Sequence, residues 1–130
     1  MSEERGETGR PAIDPAGFSA LVEMIGPDMP EVIVDIVDTY QQEALALLEE
    51  IEPAVADNDA ERMVRPVHSL KSSSGSVGAQ TLSQLCAELE SYLRGFGPPL
   101  DIAAQVAAIR EEFQRASAEL AVLRRDLMED

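Results

Sequence analysis

A chain of 130 residues and 14.1 kDa holds one ordinary domain and leaves no room for a protein kinase or a dinucleotide-binding enzyme of usual size. With 25 acidic residues against 10 basic ones the formal charge is -15, which argues against nonspecific nucleic-acid binding, while 45% hydrophobic residues argue against full disorder. One cysteine, Cys86, and one histidine, His68, rule out an intrachain disulfide and are a poor ligand supply for structural zinc.

The chain opens on Glu3, Glu4, Arg5, Glu7 and Arg10 rather than on a long apolar segment, so neither a secretory signal nor a membrane span is expected and a cytoplasmic protein is the simplest reading. Residues 1–13 read as a flexible tail and residues 14–130 as a single domain. Asp14 can cap a short helix with Pro15 at its first position; Phe18, Leu21, Val22 and Ile25 supply its apolar side until Gly26-Pro27 interrupts it. From Pro30 a second stretch sets Ile33, Ile36, Val37, Tyr40, Ala44, Leu47, Leu48, Ile51 and Val55 three to four residues apart, a repeat that outruns any ordinary strand. Asn58 and Glu61 have capping-box spacing for a third helix bearing Met63, Val64, Val67 and Leu70. After Gly75 and Gly78, a fourth face runs from Leu82 through Leu85, Cys86, Leu89 and Leu93 to Phe96. Gly95, Gly97, Pro98 and Pro99 make a turn, and Ile102 to Leu127 continue the helical pattern in a last helix expected to project beyond the others.

Each such helix would leave an apolar stripe in water, and four long ones bury their stripes against one another. The fold class is therefore all-alpha, an antiparallel four-helix bundle with a short N-terminal capping helix. A sheet would need repeated hairpin turns and two-residue alternation, and a coiled coil a more continuous heptad pattern. Cys86, Tyr40 and Tyr92 are expected to pack rather than to do chemistry.

His68 is the residue with chemical interest, because a neutral imidazole is a nucleophile able to take a phosphoryl group. On an ideal helix it points away from the side defined by Met63, Val64, Val67, Leu70 and Val77, so its ring should reach solvent. Lys71 and Ser72 follow at three and four residues and share that surface. Lys71 can lay its stem across the bundle edge and aim its ammonium at an incoming phosphate, with Arg65 as a second cation. Small Ser72 and Gly75 leave room for a partner, and Pro66, an interior proline, can tune where His68 points. Taken as an isolated pair, an exposed histidine and lysine are more often plain surface residues, and the run Ser69, Ser72, Ser73, Ser74 has no associated acid-base group to make a serine enzyme.

The wider pattern tips this balance. His68-Ser69-Leu70-Lys71, the small Ser72-Ser73-Ser74-Gly75 stretch, Val77-Gly78-Ala79, and Leu82 through Cys86-Ala87-Glu88-Leu89-Glu90 closely resemble the histidine-containing phosphotransfer, or HPt, family. The match is strongest from Arg65 to Glu90. The resemblance implies a phosphorelay intermediate in a two-component system: His68 is phosphorylated by a receiver-domain aspartyl phosphate and passes the group to another receiver. Lys71 corresponds to the basic residue that assists phosphate binding. Ser72 stands where the motif often has glycine, and Gly78 matches a glycine near the helix-to-helix transition. Receiver domains, with a hybrid histidine kinase as a further candidate, are the implied partners. Magnesium would come from the receiver, and no intrinsic cofactor or metal site is expected in this chain.

No Walker-type loop or kinase nucleotide site is present, so autonomous ATP-dependent phosphorylation is disfavoured. The main alternative is a noncatalytic alpha-helical protein-interaction module. A small phosphatase would need a water-activating group that His68 and Lys71 do not identify.

Overall fold

The computed structural model describes residues 11–129, so residues 1–10 of the expected tail, and Asp130, lie outside the described residues. Five helices occur among them: α1 (Pro15–Ile25), α2 (Pro30–Ala56), α3 (Ala60–Ser76), α4 (Gln80–Leu93) and α5 (Ile102–Met128). The expected four-helix bundle is present, with α2 packed on α3 and α5, α4 packed between α3 and α5, and the short α1 against α2.

Polar contacts give the register. Between α2 and α5, Arg110 pairs with Glu52, Gln41 donates to the Ser117 carbonyl, and Arg124 pairs with Asp38. The numbers rise on one helix as they fall on the other, so the two run antiparallel. The Ser83 hydroxyl of α4 donates to the Lys71 carbonyl of α3 at 2.9 Å, and Gln105 of α5 donates to the Leu85 carbonyl of α4 at 3.0 Å. Inside this frame Ile33, Leu48, Ile51, Leu70, Leu82 and Leu89 are sealed from solvent. Burial of such side chains, each contributing about 1.5–3 kcal/mol, drives the association.

Local chemistry sets the helix ends. Asp14 caps α1 as expected, accepting from the Ala16 amide, with Pro15 in the first turn. The third helix starts one residue later than the capping-box spacing suggests. Asp59 is its cap and accepts from the Arg62 amide, while Asn58 takes a positive φ of 54°, a conformation asparagine tolerates well. Phe96 does not join the fourth apolar face: α4 ends at Leu93, and Phe96 sits 67% exposed in the turn that Gly95 and Gly97 make. The last helix does not stand clear of the bundle either. At 27 residues it equals α2, and Arg124 near its end is still paired with that helix. Pro66 is buried within α3, which continues through it unbroken.

Ala12 and Ile13 are buried, and their amides donate to the two carboxylate oxygens of Glu119 on α5 at 2.9 and 2.8 Å. The Asp14 amide then donates to the Gly78 carbonyl at 2.7 Å. These three bonds strap residues 12–14 across α5 and the α3–α4 turn.

Gly78 is where this strap needs glycine. Its φ is +89°, and a Cβ there would lie 3.1 Å from the Phe18 nitrogen and 3.2 Å from the Asp14 oxygen, both backbone atoms. Gly95 has nearly the same φ, +92°, but open space around it. Gly95→Ala should therefore cost only the backbone strain, about 1–2 kcal/mol. Gly78→Ala should cost measurably more in a urea titration, and equal losses would show that crowding against α1 is immaterial.

Candidate functional site

The site is built on the facing surfaces of α3 and α4. On α4, the inward side carries Leu82, Cys86, Leu89 and, unusually, Glu90, which is only 6% exposed. A carboxylate taken out of water is costly unless donors replace its hydration. Here they do. Lys71 Nζ lies 2.7 Å from Oε1, Arg94 Nε donates to Oε2 at 2.9 Å with its Nη2 at 2.8 Å, and His68 Nδ1 lies 2.9 Å from the same Oε2. Burial pushes the carboxyl pKa up, but the hydrogen bonds from Lys71, Arg94 and His68, with the charge of Lys71, outweigh it and bring Glu90 down to about 2.

This geometry determines which ring nitrogen is available. An ionised carboxylate only accepts, so the nitrogen facing it at 2.9 Å must carry the proton. In the neutral ring the lone pair then resides on Nε2. The His68 side chain is 52% exposed, although it is pinned at one edge. The arrangement is chemically a nucleophile held at the base of its ring, with two cations beside it.

The other sequence candidates fall in different places. Lys71 is drawn to Glu90 and not left pointing outward. Ser72 is exposed one turn beyond His68. Gly75 faces α4, where a Cβ would come 3.4 Å from Ser83 Oγ, so its small size admits Ser83. Gly78 lies in the turn beyond the end of α3, and its close approach is to α1. Arg65 is exposed on α3, and the guanidinium that joins the carboxylate is that of Arg94. Within the serine run Ser73 bonds back to a helix carbonyl and Ser74 shares a buried hydrogen bond of 2.8 Å with the Tyr40 hydroxyl, and Ser76 farther along also bonds back to a helix carbonyl. Cys86 is wholly buried and its thiol is pushed up to about 12, chiefly by burial. Among the described residues no cluster of three or more His, Cys, Asp or Glu side chains could hold a metal ion, and no helix is long and apolar enough to cross a membrane.

Glu90 and Arg94 were not among the sequence candidates. A signal existed for Glu90, which follows Cys86 by one helical turn and so puts a charge beside an apolar stripe. Arg94 follows Glu90 by another turn.

Comparison with known proteins agrees with this architecture. The sequence pattern of the Hpt domain family matches residues 35–119, which include His68, Lys71, Glu90 and Arg94. The chain belongs to the Hpt family. Hpt domains are histidine phosphotransfer carriers rather than autonomous kinases, and they work with receiver and kinase partners; at that level histidine phosphotransfer is the function of this chain. The sensor protein TorS of Escherichia coli (strain K12) is 45% identical over 71 residues, which amount to 54% of this chain but 8% of that protein. The crystal structure of histidine-containing phosphotransfer protein B (HptB) from Pseudomonas aeruginosa PAO1 superposes with a TM-score of 0.78 at 24% identity. It covers 89% of this chain and 96% of the other, a likeness that establishes the fold.

The lowered pKa of Glu90 makes an acid-stability prediction for this Hpt domain. A carboxyl depressed in the fold contributes stability in full above its ordinary value of 4.5, and the contribution is lost as pH falls toward about 2. Denaturant midpoints measured across that window should drop more steeply for the wild type than for Glu90→Gln. Parallel profiles would mean that Glu90 is not held ionised by its three partners.

Proposed function

We propose that His68 is the phosphoryl carrier of this Hpt domain, accepting the group from the phosphoaspartate of one receiver and delivering it to the aspartate of another. The observation that carries this reading is the state of the ring: Nδ1 is tied to an ionised carboxylate, and Nε2 is directed away from that contact on a half-exposed side chain. In the transfer, the Nε2 lone pair forms a bond to phosphorus as the phosphorus–oxygen bond of the aspartyl phosphate breaks, and the electron pair leaves with the receiver's carboxylate. Magnesium belongs to the receiver's half of the composite site.

Lys71 is the residue to meet the phosphoryl oxygens. Its ammonium is already beside the ring through their common carboxylate, so a small movement trades a Glu90 oxygen for a phosphoryl oxygen. Ser72 offers little bulk on the exposed turn where a receiver would come close. The same proposal takes the folded unit from Ala12 onward as one domain, places it in the cytoplasm, and keeps a hybrid histidine kinase among its candidate partners. The -15 net charge makes local patches, rather than overall attraction, the basis for choosing a receiver.

The test is transfer from a phosphorylated receiver in the presence of magnesium, with products kept alkaline because phosphohistidine is acid-labile. Wild-type protein should become labelled and His68→Ala should not, although it still folds and binds. Lys71→Ala should remain folded and show single-turnover transfer slowed by about tenfold or more, the effect of losing one charge-assisted contact. Specific labelling of His68→Ala would overturn the assignment, and receiver binding without labelling of the wild type would favour a noncatalytic interaction module.

A further inference from the structure

In a chain of net charge -15, α3 stands apart. The charged side chains of α1, α2 and α4 are all carboxylates and α5 carries as many of one sign as of the other, whereas α3 has Arg62, Arg65 and Lys71 against Glu61 alone. Most of the arginines are already committed: Arg62, Arg94, Arg110, Arg115 and Arg124 each hold a carboxylate. Among the described residues Arg65 and Arg125 hold none. Arg65 is exposed and lies one helical turn before His68, on the same edge of α3. An arginine without a partner amid so many carboxylates has its guanidinium donors available to another molecule.

The direction of helical side chains separates its task from that of Lys71. A side chain on a helix leans over the turn before its own Cα. Lys71 thus comes back to the level of the ring, where it shares Glu90 with His68, while Arg65 leans away from the ring toward the turn of Glu61 and Arg62. In a docked complex that turn faces the receiver's surface beside the phosphoryl group rather than the group itself. Chemistry makes that surface acidic: magnesium is held by carboxylates, and with the phosphoryl group their charge outweighs that of the metal. Resting on His68 as the carrier, we propose that Arg65 is a specificity-determining residue for docking. It pairs with a carboxylate on the rim of the receiver's phosphoaspartate site, draws acid-rimmed receivers onto an otherwise repellent protein, and takes no part in the transfer itself. Because such a pair lies at an open rim, it acts on the rate of encounter and the choice of receiver more than on the lifetime of the complex.

The experiment measures docking apart from transfer. A receiver that labels the wild type is phosphorylated, mixed with magnesium and His68→Ala protein, and its association rate constant is followed with Arg65 intact or replaced. Arg65→Ala should lower that constant by about twofold to fivefold at low salt and Arg65→Glu by on the order of tenfold, Arg65→Lys should keep most of it, and the differences should fade as added salt screens the charges. Arg125→Ala removes the same charge from α5, diagonally across the bundle from α3, and should change little. With His68 present, the single-turnover rate at saturating receiver should be the same for Arg65→Ala as for the wild type. Unchanged association of Arg65→Glu, an equal loss in Arg125→Ala, or a slower saturating rate with unaltered association in Arg65→Ala would overturn the proposal. Failure of the carrier assignment is distinguishable, because it appears as label on His68→Ala, whereas the dependence of association on Arg65 is read without any transfer.

Discussion

The arrangement around His68 depends on one buried carboxylate that is allowed to remain charged. An isolated ionised glutamate on the inner face of α4 would be unfavourable, and a protonated one would not attract Lys71 and Arg94. Because the donors come from two helices, satisfying Glu90 also fixes how α3 and α4 face one another. A rotation of either helix by one residue would carry His68 and Lys71 off the carboxylate and leave a charge stranded. The register that makes the core dense is thus the register that assembles the site.

The rest of the bundle holds that register from outside. Ser83 anchors α4 to the backbone at Lys71, and Gly75 is small enough to let it approach. At the opposite face, the pairs Arg110–Glu52 and Arg124–Asp38 align α2 with α5. These pairs are partly solvated, so each contributes little net stability, and what they supply is alignment of helices already held by buried Leu, Ile and Val. Tyr40 and Ser74 place a hydrogen bond inside the α2–α3 contact, where an unpaired hydroxyl would be penalised.

What was legible in the sequence follows from the distance over which each feature is encoded. The helices, the exposure of His68 and the neighbouring Lys71 are set by spacings of three or four residues, and a periodic pattern carries them. The His68–Glu90 contact spans 22 residues and two helices, and helical phase on one helix says nothing of which atom waits on the next. Lys71 illustrates the gap: its surface was legible, but its pairing with Glu90 was not. Phe96 and Asn58 mark a different limit. Apolar periodicity cannot see that glycines at 95 and 97 have ended the helix, and a serviceable capping box at Asn58 competes with Asp59 one residue away.

The strap formed by residues 12–14 has an asymmetry of its own. Glu119 grips the amides of Ala12 and Ile13, groups that nearly every amino acid possesses, so the contact is specified by a side chain on one partner only. Substitutions at 12 and 13 that preserve burial leave the grip untouched, and no exchange there compensates for losing Glu119. Correlated-mutation methods, which need both partners to vary together, would therefore be blind to this attachment however firmly it holds.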